Sequence, residues 1–169
     1  DGETTTEWKA EDQVVCGDAM PDCSGTFGIN MDYRGIFLNM SFYYQFGGQT
    51  YNQTLVDRVE NADVGLNVDK RIYNAVWKKP GDRVDFSYNP YRLTKPSSRF
   101  VQDLNELRLS SLNVGYDFRH CAFLKKSRLQ QLKASFYMDD VFRASTVKTE
   151  RGLTYPFART FSFSLQATF

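Results

Sequence analysis

Period-two alternation, sustained over unusually long stretches, is the feature that most restricts this chain. In Gly35–Phe46, "GIFLNMSFYYQF", Ile36, Leu38, Met40, Phe42, Tyr44 and Phe46 fall on one side of an extended backbone. Phe37, Asn39, Ser41, Tyr43 and Gln45 fall on the other. Such a pattern is a strand whose two faces meet different surroundings. Four more stretches read the same way. In Gly25–Tyr33, Phe27, Ile29, Met31 and Tyr33 share a face, and the intervening Arg34-Gly35 predicts a tight hairpin. In Glu106–Phe118, Leu112, Val114, Tyr116 and Phe118 alternate with Ser111, Asn113, Gly115 and Asp117. Leu107 and Leu109 are out of phase there, so either a bulge sits near Ser110-Ser111 or the strand leaves its apolar surroundings at that point. Gln131–Met138 and Phe157–Phe169 complete the set, the last with Phe161, Phe163, Leu165, Ala167 and Phe169 on one side.

Length then separates two kinds of β-protein. A strand of thirteen residues, such as Glu106–Phe118, extends about 43 Å and, tilted near 45°, spans roughly 30 Å, the thickness of a hydrocarbon core. Sandwich strands average about 5–6 residues. The connections also alternate: almost nothing at Arg34-Gly35, then a very long insertion over 48–105, then about a dozen residues, then a medium loop. Short turns at one rim and long loops at the other are the pattern of outer-membrane barrels. The polar faces, rich in Ser, Thr, Asn, Gln and Gly, suit a wet interior, and Tyr33, Tyr43, Tyr44 and Tyr116 near strand ends suit interfacial girdles.

The predicted fold is therefore an all-β, antiparallel transmembrane β-barrel segment of about five long strands. Its parts are a hairpin over 24–47, a long extracellular loop over 48–105, a hairpin over 106–138 and a terminal strand over 157–169. Within the loop, Thr54–Asn61 and Val68–Trp77 read as short helices. Five strands cannot close a barrel, which takes eight or more, so this reads as the arc of something larger. The polar start "DGETTTEW" fits a sequence entered midway. A soluble β-sandwich that hides the same faces in a shared core is the rival.

Other features narrow function. Lys and Arg number 21 against 20 Asp and Glu, a net charge of +1, which argues against a nucleic-acid surface. No run of 18 apolar residues predicts a membrane-crossing helix, and no signal peptide opens the chain. Cys16 and Cys23 bracket "CGDAMPDC", where a disulfide is feasible and two free thiols are the alternative; Cys121 is left over. No Cys or His cluster supports zinc. His120 is the single histidine and lies in a short turn, Asp139-Asp140 read as a solvated strand end, and "KKPGDR" lacks phosphate-loop spacing. No enzyme and no cofactor is expected.

Four stretches in order resemble the C-terminal region of the SusC/RagA class of TonB-dependent outer-membrane transporters. They are Gly17 and Pro21 with Gly47, Tyr51 and Asn52; Trp77 with Pro80, Gly81 and Asp82; Ser98-Arg99-Phe100-Val101 with Leu107-Arg108-Leu109, Leu112 and Gly115-Tyr116; and Tyr155, Pro156, Arg159 and Phe169. Arg119-His120-Cys121 departs from the usual proline-containing turn, and Asp140-Val141-Phe142 from the usual Asn-Leu-Phe. The resemblance implies a plugged barrel of about 22 strands in the bacterial outer membrane. It implies a SusD-like surface lipoprotein as lid, the TonB complex as energy source acting through a part N-terminal to this segment, and an oligosaccharide or peptide as cargo. Passive porins and secreted β-sandwich modules that bind glycan or protein are the alternatives. In the long insertion, Trp77, Phe86, Tyr88, Tyr91, Arg92 and Arg99 offer flat rings and guanidinium forks for substrate or lid; packing of the loop on itself is the other reading. Phe163, Leu165 and the final Phe169 resemble the signal by which outer-membrane barrels are assembled.

Overall fold

The computed structural model describes residues 7–63, 65–87, 94–122, 124, 129–148 and 158–169. Five strands form one antiparallel sheet in sequence order: β1 (Cys23–Tyr33), β2 (Ile36–Tyr51), β3 (Val101–Asp117), β4 (Gln131–Ser145) and β5 (Phe161–Thr168). The chain divides into a sheet unit, Pro21–Gly47 with Leu104–Thr146 and Phe157–Phe169, and a loop unit, Asp1–Met20 with Gly48–Asp103 and Val147–Pro156.

In the sheet unit, register places like with like. Phe27 pairs with Phe42, Ile29 with Met40 and Met31 with Leu38. Leu112 pairs with Met138, and Val114 with Phe136, which in turn faces Phe163. On the polar side Asn30 meets Asn39, Asn113 meets Tyr137, and Ser135 meets Gly115 and Ser164. A slip of one residue would exchange the two faces, so the shared pattern fixes the pairing. Phe27 and Phe42 stack with ring centres 4.8 Å apart, a cross-strand aromatic pair of the kind that stabilises a sheet.

The hairpin turn is the expected one. Arg34 and Gly35 both have positive φ, 49° and 90°, as a two-residue turn matched to strand twist requires. Gly35 is held twice over. Its C=O accepts the Asp117 N–H at 2.7 Å, and a Cβ on it would lie 2.6 Å from the Asp117 carbonyl oxygen.

Three strands run beyond their predicted limits. β2 continues past Phe46 to Tyr51, β3 starts at Val101 rather than Glu106, and β4 continues past Met138 to Ser145. β5 is shorter, beginning at Phe161. Asp139-Asp140 do not end their strand. Leu109 pairs with Phe142 and Ser111 with Asp139, so Asp140 and Val141 together oppose Ser110. This is a β-bulge at the level of the Ser110-Ser111 phase break, with the extra residue on β4. Asp140 takes it up at φ 48°, a left-handed conformation that aspartate tolerates better than most residues. Cys16, Cys23 and Cys121 are free thiols, so the feasible Cys16–Cys23 bridge is not formed. Cys16 Sγ instead donates to the Val14 carbonyl at 3.2 Å.

The loop unit has a core of its own: Leu55, Val56, Val59, Val76 and Phe100, with Tyr51, Ile72 and Phe86 packed against it. The first predicted helix is a turn, Gln53–Leu55, that widens into a π-helical turn at Val56–Glu60. Its entry is fixed by buried Asn52. The Asn52 Oδ1 accepts the Leu55 N–H at 3.3 Å, its N–H donates to Phe100 C=O at 2.8 Å, and its Nδ2 donates to Gln102 Oε1 at 2.8 Å. The second predicted helix contracts to Ile72–Ala75, because Val76 leaves it to bridge Phe86. Pro80-Gly81-Asp82 then closes a turn in which Asp82 Oδ2 accepts the Lys78 and Lys79 N–H groups at 3.2 and 3.1 Å.

Candidate functional site

The residues singled out in the long insertion meet different fates. Phe86 lies parallel to Phe100, ring centres 6.1 Å apart and planes within 13°. The Arg99 guanidinium sits over Phe100 at 4.8 Å and over Phe86 at 5.9 Å, and donates to Glu60 Oε1 at 2.7 Å. Flat cation and flat rings thus form one stack with buried Glu60 as counter-charge, and both residues are engaged in packing the loop. Trp77 is different. Its backbone N–H donates to Phe86 C=O at 2.9 Å, while its side chain stays 49% exposed. Tyr73, four residues earlier, is exposed as well and faces the Lys78 ammonium. Tyr88, Tyr91 and Arg92 lie outside the described residues.

A buried ion pair holds a second part of this unit. The Asp69 carboxylate is fully buried and takes hydrogen bonds from the Arg71 side chain and from the Arg71 N–H, the latter at 2.8 Å. Arg71 Nη2 also donates to Lys148 C=O at 2.8 Å, fastening Lys148 to the insertion. Burial alone would raise the Asp69 pKa; the Arg71 hydrogen bonds and charge outweigh it and hold the carboxyl below its usual range.

One feature was not singled out by the sequence. A cleft of about 530 Å³ opens in the loop unit, lined by stretches as distant as Trp8 and Ser98. Its members are ordinary residues in sequence, brought together when the Trp8 indole N–H donates to Pro96 C=O at 3.2 Å across 88 positions. No local motif could reveal it.

In the sheet unit, Phe163 and Leu165 face Phe136 and Ala134 across β4–β5, and Phe163, Leu165 and Phe169 are all exposed. His120 ends an exposed 3₁₀ turn, Phe118–His120. The inner, polar side holds the exception to the exposure rule: Phe37 is buried while the apolar face opposite is open. Gly115 makes room for it, since a Cβ there would stand 2.2 Å from Phe37 Cζ, and the Lys133 ammonium covers the Phe37 ring at 4.2 Å.

A meander of long antiparallel strands, apolar and exposed on one face and polar on the other, defines a partial β-barrel segment. Comparison with known proteins points to one class. The fold matches the RagAB peptide importer in its open-open state with a TM-score of 0.69, at 16% identity over 99% of this chain and 19% of the other. The closed-closed state gives 0.68 over 98% of this chain. In sequence, the chain is 26% identical over 184 residues to TonB-dependent receptor P3 of Formosa agariphila, covering 96% of this chain and 18% of that receptor. No family model matches. The chain therefore spans under a fifth of the length of these proteins. Sequence and fold converge on one resemblance: the chain is similar to a region of a TonB-dependent receptor in sequence and to a region of the RagAB importer in fold.

Proposed function

We propose that the chain is the C-terminal barrel arc, with one long extracellular loop, of an outer-membrane importer energised by the TonB complex. Its role is structural: it supplies wall and loop and carries out no catalysis. The cargo is an oligosaccharide or a peptide, and a SusD-like lipoprotein forms the lid. The observation that carries this reading is the apolar face of the sheet, on which Phe27 pairs with Phe42 and Val114 with Phe136, itself paired with Phe163; Phe27 and Phe163 are exposed and the three between them half-buried. Such a face is stable only against an apolar surrounding, and lipid supplies one without closing a core. The similarity to an importer built of two named components supports the lid, and the similarity to a TonB-dependent receptor supports the energy source. On this reading Trp77, with Tyr88, Tyr91 and Arg92, reaches substrate or lid, and Phe163, Leu165 and Phe169 form the assembly signal.

Site-directed labelling of the full-length receptor in outer membranes tests the reading. Single cysteines at Ile29 and Phe136 are expected to react with a lipid-dissolved maleimide and to resist a water-soluble one; cysteines at Asn30 and Ser135 should show the reverse. Equal aqueous labelling of both sets would sink the membrane assignment. Uptake that persists after TonB is depleted would replace the energised importer with a passive pore.

A further inference from the structure

The connections Arg34-Gly35 and 118–130 leave the sheet at the same end, where the Asp117 N–H donates to Gly35 C=O. In sequence they carry Arg34, Arg119, Lys125, Lys126 and Arg128 and no Asp or Glu, in a chain whose net charge is only +1. The apolar face reaches the same end. Met31, Tyr33 and Ile36 are all exposed there. Tyr116 and Phe118, edge to face with ring centres 4.8 Å apart, stand beside them, and Tyr116 Cε2 lies 3.5 Å from where a Gly35 Cβ would be.

The two arginines nearest this edge differ in how their charge is met. Arg119 pairs with the Asp117 carboxylate at 2.8 Å, and Asp117 takes further hydrogen bonds from the Arg119 N–H and the Gln131 amide. Asp32 stands in register with buried Phe37, on the polar face, and its charge acts on Arg119. Neither carboxylate pairs with Arg34. Among the described residues the Arg34 guanidinium meets only the Tyr33 ring, 5.3 Å from its centre. The ring steadies the flat cation, while Arg34 stays exposed with five N–H donors to offer. An interfacial ring at the end of an apolar face marks where a bilayer passes from acyl chain to headgroup. The anionic group at that level is phosphate, which a guanidinium binds through two parallel hydrogen bonds. A phospholipid satisfies both halves of the surface, its acyl chains covering Met31 and Ile36 while its phosphate meets Arg34. A free phosphate ion satisfies only the second half.

We infer that, given the membrane reading above, on which this rests, Arg34 stacked on Tyr33 binds the headgroup phosphate of an anionic phospholipid in the leaflet on the side of the Arg34-Gly35 turn. Full-length receptor purified in detergent is titrated with phosphatidylglycerol and, separately, with phosphatidylcholine, and bound lipid is counted by native mass spectrometry. Phosphatidylglycerol should bind the more tightly. Arg34→Asn removes the cation and suits the positive φ of 49° at the turn, so the fold is kept. It is expected to weaken one phosphatidylglycerol site about fivefold, the equivalent of roughly 1 kcal/mol for one Arg at an anionic membrane surface. Arg34→Lys should recover part of the loss, and Lys79→Asn, in the loop unit, should change nothing. Equal binding of the two lipids, or phosphatidylglycerol binding indifferent to Arg34→Asn, overturns the site. Displacement of the lipid by inorganic phosphate would make it a site for a bare anion and overturns it too. The cysteine labelling at Ile29 and Phe136 is run on the same receptor. Lipid-side labelling with no dependence of lipid binding on Arg34 removes the headgroup site and leaves the barrel; aqueous labelling removes the barrel reading itself, whatever lipid is counted.

Discussion

The sheet unit and the loop unit obey opposite burial rules. In the loop unit Val59 and Phe100 are fully buried, and charged groups are tied down in pairs, Arg99 with Glu60 and Arg71 with Asp69. In the sheet unit many large apolar side chains are exposed, Phe27, Met31, Phe161 and Phe163 among them. Among its described residues the buried aromatic, Phe37, sits on the polar side. The difference teaches which surroundings each unit is built for. The loop unit carries its own hydrophobic driving force and fits water. The sheet unit leaves part of that force unspent along one face, and an apolar surrounding uses it.

Substitutions can break this contrast. The largest effect is expected from Phe100→Ala, about 3–5 kcal/mol, because the ring anchors Tyr51, Phe86 and Arg99 at once. Limited proteolysis of the assembled receptor should show new cleavage within Gly48–Asp103 while the barrel stays resistant. Next, Phe136→Arg on the apolar face should cost about 2–4 kcal/mol of barrel stability, whereas Ser135→Arg on the polar face should cost almost nothing. Urea titration of the receptor in vesicles measures both, and equal costs would erase the distinction between faces. Gly115→Ala should cost about 1–3 kcal/mol, since a Cβ meets both Phe37 and the Ala134 carbonyl. Heat-modified electrophoretic mobility reports it as earlier unfolding.

The smallest effect concerns pH. Asp69 has its folded pKa lowered, so its contribution to the loop unit is fully present above the ordinary carboxyl value of 3.8 and is lost as pH falls through the depressed one. Hydrogen exchange in the Asp69–Arg71 segment should accelerate in that acid range, and Asp69→Asn should flatten the dependence. A profile unchanged by the substitution would assign the acid sensitivity to other carboxyls.

Much of the sheet was legible because alternation is a local signal. The five segments, their order and the Arg34-Gly35 turn all follow from residues two apart. The boundaries were not, and the reason is visible at each. Gly47-Gly48 interrupts the pattern of β2, the out-of-phase Leu107 and Leu109 hide the start of β3, and Asp139-Asp140 resembles a strand end because a bulge there demands a residue that tolerates positive φ. The loop unit was legible as chemistry but not as geometry. Phe86 and Arg99 were recognised as a flat ring and a flat cation, yet nothing nearby in sequence says that each would spend its surface on Phe100. The Trp8 cleft was out of reach, since its walls meet only in three dimensions.

The Arg34-Gly35 turn carries a consequence for engineering. Gly35 lies against the Asp117 carbonyl, with no space for even a methyl group, and its own carbonyl is occupied by the Asp117 N–H. An affinity tag or fluorescent protein spliced between Arg34 and Gly35 would have to tear out that contact and pry apart the paired ends at Tyr33 and Ile36. The turn is sealed against insertion, and a reporter for this protein has to be placed elsewhere.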